Sequence, residues 1–252
     1  MALTRRLNLL LATLLLAATG AAAAEDQPWT AAAVIAKARA ALAADPADLD
    51  KVKSLRIVFT ASDGKGRTLN ATTLTLAAGG FRLQSTADRN RGFEAAVCAG
   101  RLEGWTTSKA DALSRRIVKP VPYDEFRKLR DMAVDDLCFF SAPPAGSGTA
   151  TYRGTSEVSG RRTHAVEYAY GSGLRITRHF DADTFALVAS DQATPKGEVQ
   201  RQQVESLTKV EGISFPAKES IYVDGRKSGE VTYDRVEVNP ALPQGLFDFP
   251  TL

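Results

Sequence analysis

The side chains best suited to acid–base or nucleophilic chemistry in this chain are His164 and His179, the cysteines Cys98 and Cys138, and two close aspartate pairs, Asp135-Asp136 and Asp181-x-Asp183. Imidazole titrates nearest neutral pH and is the commonest general base, but it needs a nucleophile or substrate within hydrogen-bond reach. Each histidine falls singly in an alternating stretch beside arginines, the ordinary setting of a surface or internally satisfied residue. The sequence holds no Gly-x-Ser-x-Gly elbow, no HExxH, no CxxC and no glycine-rich loop between a strand and a helix. Asp181-Ala182-Asp183-Thr184 has the composition of a turn rather than a cation site, because Asp side chains bond the backbone two residues on. Asp135-Asp136 falls at the end of a helical stretch and reads as solvated. These residues point away from catalysis, and neither a metal nor a cofactor is expected. Arg161, Arg162, Arg175 and Arg178 are either solubilising charges or the rim of a polar mouth for anionic headgroups.

The N-terminus carries an address. Thr4-Arg5-Arg6, an apolar run from Leu7 to Ala18 and the small residues Thr19 to Ala24 are the three parts of a secretory signal peptide, with cleavage expected after Ala24. An apolar run of about twelve residues is too short to span a bilayer, which needs roughly 20. Residues 1–24 are thus read as the signal and residues 25–252 as one domain outside the cytoplasm. The formal charge of +3 falls to about +1 without Arg5 and Arg6, and no charge run occurs, so nucleic acid is not an expected partner. Two cysteines in a chain sent to an oxidising compartment predict a Cys98–Cys138 disulfide, with two free buried thiols as the alternative. Closing that loop would add roughly 4 kcal/mol in the chain-entropy model.

The elements that would position these residues follow from periodicity. Trp29 to Ala44 has the composition of a helix, with Thr30 as N-cap and Val34, Ile35, Ala38 and Leu42 on one side. Tyr123 to Val134 is a second, with Asp124 as cap and Phe126, Leu129 and Ala133 at helical spacing. Between and after them the chain alternates apolar and polar residues in short runs joined by polar turns, a meander of about ten or eleven strands. Leu55, Ile57 and Phe59 point one way; Leu74 and Leu76, Phe81 and Leu83, and Phe93, Ala95 and Val97 do the same on later strands. Ser141 to Gly148 is read as a loop within the same sheet. A sheet of this size curls.

The closing stretch, Gly212 to Pro250, predicts a hairpin turning at Val223-Asp224-Gly225-Arg226, followed by an extended, Pro-punctuated strap. On an extended strap Phe247 and Phe249 would share one side and be buried together.

A helix followed by Asp50-Lys51-Val52-Lys53-Ser54-Leu55, a strand ending in Phe59-Thr60, the meander, Gly104-Trp105, the helical excursion and the closing Phe247-Asp248-Phe249-Pro250 resemble, in that order, the periplasmic lipoprotein carriers of the LolA type. The resemblance covers most of residues 25–252 and rests on order and spacing. It implies a mainly β fold with two or three helices: a large curled antiparallel sheet forming an unclosed β-barrel, covered by a helical lid. It further implies an apolar cavity for the acyl chains of a lipid or lipoprotein, in a monomeric periplasmic carrier that passes them to a membrane-bound acceptor. Under that resemblance the cavity is lined by Val34, Leu42, Leu55, Ile57, Phe59, Leu74, Leu76, Phe81, Leu83, Phe93, Val97, Leu174 and Ile176. A sensor or accessory subunit of a membrane signalling or export system is the alternative within binding proteins, and a lipid hydrolase the alternative among enzymes.

Overall fold

The alternation closes into one antiparallel sheet, seen here in a computed structural model that describes residues 29–66, 68–87, 93–111, 113–194 and 196–250. The expected signal peptide, residues 1–24, lies outside the described residues. Helix α1 (Ala31–Leu42) opens the fold, and a 3-10 turn (Pro46–Lys51) leads to β1 (Ser54–Asp63). A meander follows through β2 (Thr68–Ala77), β3 (Gly80–Ala87), β4 (Phe93–Ala99), β5 (Gly104–Lys109) and β6 (Ile117–Pro120). Helix α2 (Tyr123–Leu137) then leads to β7 (Gly148–Val158), β8 (Arg161–Tyr170), β9 (Arg175–Asp181), β10 (Leu187–Ala193), β11 (Val199–Val210), β12 (Ile213–Val223) and β13 (Arg226–Val238).

The strand order is β6-β5-β4-β3-β2-β1-β13-β12-β11-β10-β9-β8-β7. The chain therefore starts at the middle of the sheet and runs out to one edge. Through α2 and the Ser141–Gly148 connection it reaches the other edge, then runs back until β13 pairs with β1. The edges β6 and β7 do not pair, so the barrel stays unclosed. Strands on either side of Ser141–Gly148 belong to this one sheet, as expected. The additional strands lie where the sequence was least periodic: β5 and β6 occupy a stretch that reads as a packed Trp105 and a loop.

Register places the apolar positions in rows on one face. Val238, Leu55, Leu76 and Phe81 align across β13, β1, β2 and β3, and Val236, Ile57, Leu74 and Leu83 form the row beside them. Phe126, Leu129 and Ala133 of α2 pack on the first row, while Val34, Ile35 and Ala38 of α1 pack with Val166, Tyr168 and Phe180 from β8 and β9. Thr30 caps α1 through a 3.2 Å bond from the Ala33 amide, as its position predicts. At α2 the cap differs from expectation: Pro122 holds the N-cap position and Asp124 sits in the first turn, where its charge favours the helix dipole. The β12–β13 hairpin turns at Asp224 and Gly225, both at positive φ (46° and 75°), the geometry that matches strand twist in a two-residue turn.

The strap departs from its expected form. It turns at Gln244–Phe247 instead of staying extended, so Phe247 packs against Ala96, Cys98 and Trp105 while Phe249 stays exposed. Its floor is glycine: a Cβ on Gly80 would lie 2.8 Å from the Phe247 ring, and one on Gly100 2.5 Å from the Phe247 carbonyl oxygen. Arg82 Nη1 donates to the Leu246 carbonyl at 3.0 Å and completes the seat.

The expected disulfide is corrected by this arrangement. Cys98 and Cys138 are both free thiols. Cys98 aligns with Arg82 and Trp105 on the outer face, beneath the strap, whereas Cys138 ends α2, which packs on the inner face. The sheet itself separates them. Burial pushes the Cys98 thiol up to about 12, which makes it a poor nucleophile. A thiol-reactive mass tag is expected to add at both cysteines in denatured, unreduced protein. In native protein Cys98 labels slowly, and Phe247→Ala speeds its labelling and costs about 2 kcal/mol in urea unfolding.

Candidate functional site

Between the inner face and the helices lies a cavity of about 410 Å³. Its walls differ in kind. Leu55, Ile57 and Phe59 of β1, Leu74 of β2 and Phe81 and Leu83 of β3 make one side hydrocarbon, closed by Leu42 at the end of α1 and by Met132, Phe139 and Phe140 around the end of α2. The facing strands are mixed: Ser190 and Gln192 of β10, Gln200 and Gln202 of β11, Ser214 and Glu219 of β12 and Tyr233 of β13 line it beside the apolar Leu187, Phe215, Val231 and Val236. Alternation places all of these on one face, but only the β1–β3 side is uniformly apolar.

Charge enters from α2 and β9. Arg178 points inward and is buried, as is Asp135; Arg178 Nη1 donates to Asp135 Oδ1 at 2.9 Å, and Nη2 donates to Oδ2. Tyr170 donates its hydroxyl to Asp135 Oδ1 at 2.7 Å, and burial followed by the Asp135 charge raises the Tyr170 pKa. The Arg178 guanidinium also lies over the rings of Tyr168 and Phe140, at 4.7 and 5.2 Å. One residue on, Asp136 faces the void, its surface open to the cavity while protein surrounds it. Burial first, then the Asp135 charge, push its carboxyl up to about 7. Glu219 is buried, accepts the Tyr233 hydroxyl at 2.5 Å, and has its pKa raised by burial.

The exit of α2 is held in an uncommon backbone conformation. Phe139 and Phe140 both have positive φ, 45° and 69°, which costs a non-glycine residue roughly 1–2 kcal/mol. The cost is offset by donors: Arg39 of α1 reaches the Cys138 and Phe139 carbonyls at 2.8 and 3.1 Å and Ser141 Oγ at 2.6 Å, and Tyr168 donates to the Phe140 carbonyl at 2.8 Å. Arg39 also pairs with Asp50 at 2.6 Å. Both helices are thereby tied where both phenylalanines meet the cavity.

Eight residues named from the sequence line this cavity: Leu42, Leu55, Ile57, Phe59, Leu74, Phe81, Leu83 and Ile176. Val34, Leu76 and Leu174 lie instead in solid core, and Val97 packs against that core. The side chain of Phe93 is outside the described ones. Asp135 is buried rather than solvated as its sequence position suggests, while Asp136 is exposed, its open surface on the cavity. The helical spacing that joins Leu129 and Ala133 continues to Asp136, and that was the signal for it. Arg178 likewise belongs to the interior rather than to a mouth, while Arg161, Arg162 and Arg175 are exposed, Arg175 pairing with Glu167 at 3.0 Å.

The histidines lie apart from the cavity. His164 accepts or donates at Nδ1 with the Tyr152 hydroxyl at 3.0 Å and stacks on Phe185. His179, on the outer face, lies 3.0 Å from Ser156 Oγ through Nδ1 and 3.1 Å from Asp191 Oδ2 through Nε2. Ser156 Oγ also bonds Thr163 Oγ1 at 2.9 Å, and Arg201 grips both Asp191 oxygens at 2.7 Å. Burial opposes the Asp191 charge, but the bonds from Arg201 and His179 hold its carboxyl down at about 2. This network joins β7, β8, β9, β10 and β11, and none of its members lines the cavity. Asp181 accepts from the Asp183 and Thr184 amides at 3.1 and 2.9 Å, the turn that its sequence predicts. Among the described residues no cluster of His, Cys, Asp and Glu is arranged to hold a metal ion.

No protein-family model matches the sequence, and no curated protein matches it. Solved structures do match the fold. A DUF1329 family protein from Desulfovibrio piger aligns with a TM-score of 0.54 at 12% identity, over 86% of this chain and 97% of its own. A domain described as an outer membrane lipoprotein-sorting protein, from Vibrio parahaemolyticus, aligns with the same score, identity and coverage. A LolA superfamily protein from Nitrosomonas europaea gives 0.52 at 11% identity, over 87% of this chain and 98% of its own. The fold is LolA-like.

Two substitutions at neighbouring positions are expected to act in opposite directions. Asp135→Ala leaves Arg178 buried without its counter-ion and lowers stability in urea unfolding by about 3–5 kcal/mol. Asp136 has a folded pKa above its unfolded value, so its contribution to stability falls as pH rises from about 4 to about 7 and is flat above. Asp136→Asn therefore leaves stability unchanged near pH 4 and raises it by roughly 1 kcal/mol at pH 8, the full shift being discounted for water in the cavity.

Proposed function

We propose that this protein is a non-catalytic carrier that binds the acyl chains of a lipid or lipoprotein in its inner cavity, outside the cytoplasm, and passes them to a membrane-bound acceptor. The observation that supports it most is the void itself: about 410 Å³ between an unclosed sheet and two helices, walled on the β1–β3 side by hydrocarbon. That volume falls within the range of small-molecule sites, roughly 300–1,000 Å³. Each buried CH₂ contributes about 0.8 kcal/mol, so a chain of eight carbons gains about 6 kcal/mol before ordering costs. Handover favours affinity of that moderate size, because a chain held much more tightly would not leave. The lipoprotein-sorting description of a fold neighbour agrees with such cargo, and the signal-like residues 1–24 agree with export.

The lid in this reading is the end of α2 with Phe139 and Phe140. It is latched to α1 by Arg39 and is joined to the sheet by Asp135 and Arg178. Opening requires no chemistry, only release of a few hydrogen bonds at one helix end.

Gentle purification from the cell envelope, followed by solvent extraction and mass spectrometry, tests the proposal. The expected outcome is co-purified acyl lipid on a protein whose intact mass lacks residues 1–24. Saturable binding of a naphthyl fluorescent probe is also expected, reduced about tenfold by Leu74→Trp, which fills the apolar side. Protein free of lipid that also binds no hydrophobic probe saturably would mean the cavity is not a cargo site.

A further inference from the structure

We infer that the cavity selects an amphiphile whose polar group is a cation, a protonated amine carried on a hydrocarbon chain, in preference to one ending in a carboxylate or phosphate. The inference rests on the acyl-chain reading above and deepens it. It starts from the placing of the polar lining, which comes from the end of α2 and from β9–β13 alone, so that the polar end of a chain laid along Leu55, Ile57, Leu74 and Leu83 finds partners only there.

The charges there are unequal. Arg178 is the one cationic side chain among the described lining residues, and Asp135 occupies its guanidinium through both carboxylate oxygens. No cation is therefore free to receive an anionic headgroup. Two carboxyl groups remain: Asp136, without a hydrogen-bond donor among the described residues, and Glu219, whose one bond comes from Tyr233. The groups facing Asp136 are Asp135 of its own helix, Arg178 of β9 and Glu219 of β12, with Tyr233 of β13 behind Glu219. After the Asp135–Arg178 pair cancels, that set is acidic.

An occupant made only of hydrocarbon would drive water from these carboxyls and force them to be neutral. Asp135 and Glu219 beside it already disfavour the Asp136 charge. An ammonium group reverses the balance: it supplies a counter-ion and donors to Asp136 and Glu219, and Gln192, Gln200 and Gln202 offer amide oxygens for its remaining N–H bonds. A carboxylate or phosphate in the same place meets like charge.

The test uses the full mature protein and three probes of equal chain length, decylammonium, decanol and decanoate, each below its micelle concentration and displacing a naphthyl fluorophore at pH 8. Decylammonium is expected to bind about tenfold more tightly than decanol, and decanoate more weakly than decanol. Asp136→Asn is expected to remove most of the ammonium preference while decanol affinity holds or improves; Glu219→Gln serves as the second variant should the first unfold. Lowering the pH to 5 should narrow the preference in wild type as the carboxyls take up protons. Decanol binding with no ammonium preference overturns this inference and leaves the carrier reading standing, as does a preference that survives both substitutions. Binding by none of the three overturns the carrier reading, and this inference with it.

Discussion

The buried pair between Asp135 and Arg178 is the contact on which the rest of this molecule depends. The sheet is open, its edge strands β6 and β7 unpaired, and α2 is the element through which the chain passes from one edge to the other. Along its length α2 packs against β2, β3 and β4, and Arg127 and Asp131 reach the β8–β9 turn at Gly171 and Ser172. Asp135 is the point at which the end of that helix grips β9, on the opposite half of the sheet. Burying two ions is unfavourable unless each is fully hydrogen-bonded, and here Asp135 accepts from Arg178 at both oxygens and from Tyr170 as well, while Arg178 rests on two aromatic rings. The pair is better understood as a positioning device than as a source of stability. It holds the helix end where Phe139 and Phe140 must adopt positive φ and where Arg39 can latch them.

The character of the walls explains why a void persists beneath the helices. A wholly apolar space of this size would gain by shrinking, since unfilled contacts forfeit dispersion energy. This one is apolar on one side and mixed on the other, where glutamines, two serines and carboxyl groups stand among apolar residues, so water can occupy it with hydrogen-bond partners. In the proposed carrier role that condition would help: the empty state is tolerable, and an incoming chain displaces water from the apolar side without having to reopen a collapsed core. The outer face is organised by different means. There the Ser156–His179–Asp191–Arg201 network and the strap seated on Gly80 and Gly100 join neighbouring strands and leave the cavity alone.

What could be read from the sequence and what could not divides by the range of the interactions. The rows Leu55-Ile57-Phe59, Leu74-Leu76 and Phe81-Leu83 were legible because a strand's period of two assigns side chains to faces without reference to any partner. Thr30 as a cap and Asp224-Gly225 as a turn were legible for the same reason, both being set by bonds within a few residues. The strap was misread because its conformation answers to contacts some 150 positions away: Phe247 turns out of line to fill the space over Cys98 and Trp105. The expected disulfide failed likewise, since the spacing of two cysteines carries no information about which side of a sheet each occupies.

A large antiparallel sheet with two helices, one face holding most of the aliphatic side chains, was legible from residue order alone, because backbone geometry and hydrophobic periodicity are local. Which of those side chains line an empty space, and which, such as Val34, Leu76 and Leu174, are solid core, follows from the packing of the folded chain. Only it decided that Asp136 faces that space and that Arg178 is spent on Asp135. Burial, and with it the charge state and partner of an ionisable group, is a property of everything packed around the group. Strands β9, β12 and β13 meet the end of α2 only once the sheet has curled; the helical spacing from Leu129 and Ala133 turns Asp136 toward the sheet but does not say which strands it will meet.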